Sequence, residues 1–201
     1  MDFQTWLAIL AIAAAAAGTP GPNNALLASS GARFGFWPTL PHALGVALGF
    51  PVMVFLCALG LGELFRAVPL IGEVLRWVGA ALLFWLAWKT FNAPAPGTQT
   101  TDKPWSFLQA AAFQWVNPKA WIMAISVITQ FVTGQNLILE ALACASAFTA
   151  AGMVTAHSWA AFGAALRRFL STPLRLRLFN AVMAALIVTT VIALMAEDLS
   201  V

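Results

Sequence analysis

Long apolar stretches dominate the chain, and polar residues gather at their ends. Six runs can be marked, at about 3–30, 40–62, 70–91, 107–133, 137–163 and 178–196. At about 1.5 Å per helical residue, each can cross a hydrocarbon layer roughly 30 Å thick. Backbone groups in hydrocarbon have no water to bond, so each run is expected to be helical. The pattern predicts an all-α integral membrane protein with six transmembrane helices.

One connection stands apart. Residues 92–106 read NAPAPGTQTTDKPWS, rich in Pro, Gly and Thr and without apolar periodicity. This is the expected linker between a first three-helix repeat, 1–91, and a second, 107–201. Three crossings per half make the second half enter from the opposite side. Two related halves would therefore form an inverted repeat.

Composition agrees. Hydrophobic residues make up 61% of the chain and charged residues 8%, with mean hydropathy +0.86, against about 25% charged in a soluble domain. The net charge of +3 is scattered, with no basic stripe, which argues against nucleic acid as a partner. Arg33, Lys89, Lys103, Arg167, Arg168, Arg175 and Arg177 fall in or beside the connections after the first, third and fifth runs. Arg66 and Arg76 lie on the other side. This bias places the linker and the basic 5–6 loop in the cytoplasm and both termini in the periplasm. The acids Asp2, Glu63, Glu73, Glu140, Glu197 and Asp198 fall on the outer side and Asp102 on the inner. Trp6 and Trp77 near outer ends, and Trp37, Trp88, Trp105 and Trp159 near inner ends, read as interfacial anchors. The four arginines of the 5–6 loop read as contacts to anionic lipid. No positive region precedes the first run, which is expected to remain as a helix rather than be cleaved as a leader.

Two runs carry interruptions. Residues 18–24 read GTPGPNN, and neither Pro20 nor Pro22 can donate a backbone hydrogen bond. The expected form is a helix to about Gly18, an unwound stretch at Gly21, and a half-helix from Pro22. Asn23 and Asn24 add side-chain donors there. The second interruption is QWVNPK at 114–119, where Asn117 reads as an N-cap and Pro118 as a first-turn proline. Lys119 follows near mid-span, at an insertion cost of at least about 2.5–3.5 kcal/mol. Each break lies in the first helix of its half, Pro22 and Pro118 standing nearly half the chain apart. Matched breaks of this kind in helices 1 and 4 point to a transporter site. Free amides and the positive dipole end of a half-helix favour a carboxylate. Lys119 would add a full charge or carry a proton; alternatively, it bonds the unwound carbonyls of helix 1.

Several other residues are candidates. Gln114 shares a face with Asn117 and can line the same cavity. His157, in helix 5, reads as a structural polar contact or a proton relay. His42, at the start of helix 2, reads as interfacial. Gly31, Gly35, Gly45 and Gly49 read as close-packing positions. Cys57 and Cys144 lie inside apolar runs and read as small buried hydrophobes. No metal spacing is present, and neither a metal nor a cofactor is expected.

The motif TPGPNN, the glycines at 31, 35, 45 and 49, the sequence LAWKTF before the linker, and QWVNPKAW together resemble the lysine exporter and homoserine/threonine exporter family. The likeness spans nearly the whole chain, and 86–117 is most similar to the cysteine and O-acetylserine exporters. It implies a bacterial inner-membrane exporter of amino acids or close derivatives, driven by the proton gradient. It carries over Pro20, Gly21, Pro22, Asn23, Asn24, Asn117, Pro118 and Lys119 as motif positions. The implied partners are a small amino acid or derivative, protons and the lipid bilayer, with a homodimer left open. No Asp or Glu lies mid-span to serve as the proton carrier. Three alternatives remain: a membrane thiol-redox relay through Cys57 and Cys144, an integral membrane enzyme, and a passive channel. The first needs the two cysteines within disulfide reach. The second lacks a catalytic set, and the third a charged ring or carbonyl filter.

Overall fold

The computed structural model describes residues 1–61, 67–98 and 101–196, which are helical with no strand among them. Glu63, Arg66, Glu197 and Asp198 lie outside the described residues. Four helical stretches are long and apolar enough to cross a membrane: Phe36–Leu61, Leu70–Phe91, Leu137–Leu166 and Pro173–Ala193. A fifth candidate is a bent pair, Phe3–Gly18 (α1) and Pro22–Phe34 (α2), whose axes differ by 59°.

The helix ends follow from local chemistry. Asp2 caps α1 by accepting a hydrogen bond from Thr5 N at 2.8 Å. α1 stops at Gly18 because the prolines beyond it cannot continue the backbone ladder. α2 then begins with Pro22 in its first turn. Gly35 ends α2 and opens α3, Phe36–Leu56, with φ +92, a conformation that a side chain would strain. α3 passes into a π-helical turn, Cys57–Leu61. α4 is Pro69–Phe91.

The run at 107–133 is not one continuous helix. It divides into α5, Phe107–Phe113, a 3-10 turn, Gln114–Val116, and α6, Pro118–Phe131. At seven and 14 residues, neither helix reaches a membrane span alone. α5 opens with a reciprocal capping box between Ser106 and Gln109. α7, Leu137–Leu166, is the longest helix at 30 residues, or about 45 Å. α8 is Pro173–Ala196, so Arg175 and Arg177, expected in a loop, sit in its first turns. Pro173, a first-turn proline, starts this helix before the apolar pattern does.

α7 is the central post, with α1, α2 and α3 packed along it, while α4 pairs with α8 and α5 with α3. Close approach depends on missing side chains. A Cβ on Gly163 would fall on the Ala28 carbonyl, and one on Gly31 on that of Ala160. Gly45 and Gly49 seat α3 on α5 in the same way, against Phe107 and Ala111. Gly35, by contrast, serves the α2–α3 turn. One apolar cluster joins α1, α3, α6 and α7 through Ile9, Met53, Ala124 and Phe148. Another joins α2, α4 and α8 through Leu26, Leu83 and Ile187.

The polar connections share one end. Arg33 bonds Asp102 of the linker at 2.7 Å. The Arg167 guanidinium lies beside Gly35 and Gly97. Trp37 and Trp88 are exposed, but Trp105 is half-buried between the rings of His42 and Phe113. His42 corrects the sequence reading: it is 2% exposed, not interfacial. α3 starts at Phe36, earlier than its apolar pattern, which carries His42 well inside the helix.

Candidate functional site

The site grows from the two interruptions. Where α1 ends, its last carbonyls have no partner within the helix. Asn24 Nδ2 reaches back and donates to Ala17 O at 2.8 Å and Thr19 O at 3.0 Å. Lys119 Nζ also donates to Thr19 O, at 2.7 Å. An ammonium at a helix C-terminus meets the negative end of the dipole, which offsets part of its desolvation. Gly21 makes room for this contact: a Cβ there would stand 3.0 Å from Lys119 Cδ.

The start of α2 carries no side-chain cap. Pro22 has no amide hydrogen, and Asn23 N and Asn24 N precede the first residue able to complete a helical bond, Ala25 N to Gly21 O at 2.9 Å. The start of α6 is different. Asn117 Oδ1 accepts from Lys119 N at 3.2 Å, so α6 closes its own first turn. The expectation that both half-helices offer free amides thus changes: α2 offers amides, while α6 offers the Lys119 side chain.

Side chains tie the interruptions together. Asn23 Nδ2 donates to Gln114 Oε1 at 2.8 Å, and Gln114 Nε2 donates back to Asn23 Oδ1 at 3.3 Å. Gln114 Nε2 also donates to Ala110 O at 2.8 Å. Gln114 is fully buried, and these bonds meet the demand of its amide.

These groups surround one cavity of about 50 Å³. Gly21, Pro22, Asn23, Asn24, Gln114, Asn117 and Lys119 all line it. Pro20 is exposed and does not. Pro118 instead lines a cleft of about 330 Å³ between α6 and α8, with Thr189 and Thr190. Lys119 and Met123 line both spaces and form the partition between them. His157 lies outside the cavity, its Nδ1 2.6 Å from Met153 O and its ring against Phe36. Cys57 and Cys144 are free, buried in one apolar cluster, and also away from the cavity.

A family model described as "LysE type translocator" matches residues 6–198. The chain belongs to the LysE translocator family. That description agrees with the several helices long and apolar enough to cross a membrane. Curated relatives include the "Cysteine/O-acetylserine efflux protein" of Salmonella paratyphi A, 38% identical over 122 residues, 61% of this chain and 63% of the relative. The protein of the same name in Escherichia coli O157:H7 is 36% identical over 123 residues, again 61% and 63% of the two chains. The match thus spans a little under two thirds of these relatives. No solved structure matches the chain.

Within this LysE-family chain, the sequence reading missed the walls. Val46, Phe50 and Pro51 of α3 and Phe148, Gly152 and Thr155 of α7 are among the residues that wall the cavity. Most are ordinary apolar positions in their helices. Only Pro51, a proline inside α3, carried a visible signal.

Proposed function

We propose that this protein is a secondary transporter that exports amino acids or close derivatives across the bacterial inner membrane, coupled to proton entry. The substrate carboxylate binds between the two broken segments. The observation that carries this reading is the convergence of Asn23, Asn24, Gln114 and Lys119 on one cavity. The backbone amides of Asn23 and Asn24 at the start of α2 and the Lys119 ammonium at the end of α1 are the donors that suit a carboxylate, and Gln114 holds the two breaks together. The efflux names of the relatives support cysteine and O-acetylserine as probes.

In this reading, α1–α2 and α5–α6 are each one broken span, giving six crossings in two inverted repeats, 1–91 and 107–201. The linker 92–106 and the end bearing Arg33 and Arg167 face the cytoplasm, with both termini periplasmic. Asn23 and Asn24 orient the carboxylate through amide donors. Lys119 has three donors, of which Thr19 O takes one, and it supplies the counter-charge. A cavity of about 50 Å³ is far smaller than the roughly 300–1,000 Å³ of typical ligand pockets. The conformation is therefore closed, and the site opens when the Lys119–Met123 partition moves toward the α6–α8 cleft.

The test is counterflow in proteoliposomes preloaded with unlabelled O-acetylserine or cysteine. Wild-type protein is expected to accumulate the labelled compound. Lys119→Met lowers the rate at least about tenfold, as expected for losing one charged hydrogen bond. Undiminished exchange by Lys119→Met overturns the site. No exchange of either probe by the wild type overturns the substrate class.

A further inference from the structure

His42 is a buried titratable side chain that the reading above leaves without a task, and its ring has no polar partner among the described residues. It is 2% exposed. A buried imidazole has a donor and an acceptor, or two donors when charged, and native proteins seldom leave both sites unmet.

Its position links two compartments. Val46, one turn further along α3 and on the same face, lines the cavity. On the other side the Trp105 ring covers it, with centroids 5.3 Å apart and planes at 32°. Trp105 is half-buried and belongs to the polar connection before α5. His42 thus lies between the cavity and the linker end, with one aromatic ring as the cover.

Among the described residues no counter-charge is placed beside it. Of the groups on elements packed against α3, Arg33 is held by Asp102 and Lys119 by Thr19 O. Glu140 is bound by Thr133 and Gly134, and His157 contacts Met153 O. Cys57 and Cys144 are in the apolar cluster. α5 and the 3-10 turn carry no ionisable side chain. The closed packing therefore accommodates a neutral ring. A lone buried charge is far costlier, and only the face of Trp105 is placed to meet it.

We propose that His42 is the proton-binding group of the transport cycle and that Trp105 is its cover on the linker side. This rests on the transport reading above. A proton arriving from outside water breaks its O–H bond and forms an N–H bond at the unprotonated ring nitrogen. The imidazolium cannot stay in the closed packing, so α3 parts from Trp105. The proton then passes to water at the linker end, and the neutral ring lets Trp105 return.

Proteoliposomes separate the two ideas. In wild type, labelled O-acetylserine moves both by counterflow at equal pH and against its gradient when a pH difference is imposed. His42→Gln is expected to keep counterflow within about twofold and to lose pH-driven accumulation at least tenfold. pH-driven accumulation at the wild-type level in His42→Gln overturns the assignment. If His42→Gln loses both activities, ring ¹⁵N shifts decide, read from protein whose only other histidine is removed by His157→Gln. A His42 ring that gains a proton as pH falls from 8 to 5 with O-acetylserine present supports the proposal, and an unchanged ring overturns it. Wild-type vesicles with no counterflow overturn the substrate class proposed above and this assignment with it.

Discussion

The two interruptions look alike in sequence and differ in construction. Both place proline in the first turn of a helix and asparagine beside it. At the first, the helix start has no side-chain cap, and Asn24 turns backward to the carbonyls of α1. At the second, Asn117 closes its own turn, and Lys119 crosses to the first break. One interruption presents open amides, and the other is self-contained and lends a charge. Two asparagine–proline breaks therefore need not supply the same chemistry; which side of the proline the asparagine occupies decides it. An Asn before Pro is placed to cap, whereas Asn23 and Asn24, which follow Pro22, are placed to reach outward.

The largest effect should come from unseating the first interruption. Gly163→Ala drives a Cβ into the Ala28 carbonyl of α2, costing about 1–3 kcal/mol by overpacking. Gly72→Ala, with nothing within 4 Å, is the control. Thermal melts in detergent compare them, and equal melts would break the claim that α2 is seated by that contact.

Next, Asn24→Ala leaves Ala17 O without its side-chain donor, while Thr19 O keeps Lys119, at about 1–3 kcal/mol. Asn117→Ala removes a cap worth about 1 kcal/mol, which Asn117→Ser, also a capping residue, should largely restore. Serine at 24 is too short to bridge both carbonyls and should not rescue. Equal rescue at both positions would erase the distinction between the breaks.

A smaller effect is the coupling between them. Asn23→Ala and Gln114→Ala should be non-additive by about 1 kcal/mol in a double-mutant cycle of melting, because each removes the same amide pair. Additive losses would mean that the pair does not link the two halves.

The smallest expected effect is at the linker. The hydrogen bond from Arg33, with its nearby charge, holds the Asp102 carboxyl below its ordinary value of 3.8. A depressed folded value means that the pair stabilises the protein above that ordinary value. The contribution fades as pH falls through the lower, folded one. Asp102→Asn should melt slightly below wild type at pH 7, with the gap closing toward pH 3. A gap that is the same at both values would show that the charge is not what ties the linker to α2.

Much of this was legible beforehand for physical reasons. Prolines mark the starts of α2 and α6 because a missing N–H is harmless only in a first turn. Lys119 stood out because an ammonium in an apolar run must find a partner. What escaped were features fixed by packing. His42 read as interfacial because apolar patterning placed the start of α3 too late. Phe50, Phe148 and Thr155 carry no mark in sequence that sets them apart from other spanning residues, since which face meets the cavity depends on how α3 and α7 sit on each other. The contact of the Trp105 ring with His42 shows the same limit.

The most direct measurement is protection of a cavity wall. Thr155→Cys, in protein with Cys57→Ala and Cys144→Ala, places one thiol beside the cavity and away from the proposed donors. O-acetylserine should slow its alkylation by a small thiol reagent at least severalfold, and adding Lys119→Met should remove that protection. Alkylation indifferent to O-acetylserine, or protection that survives Lys119→Met unchanged, would contradict a carboxylate site between the two breaks.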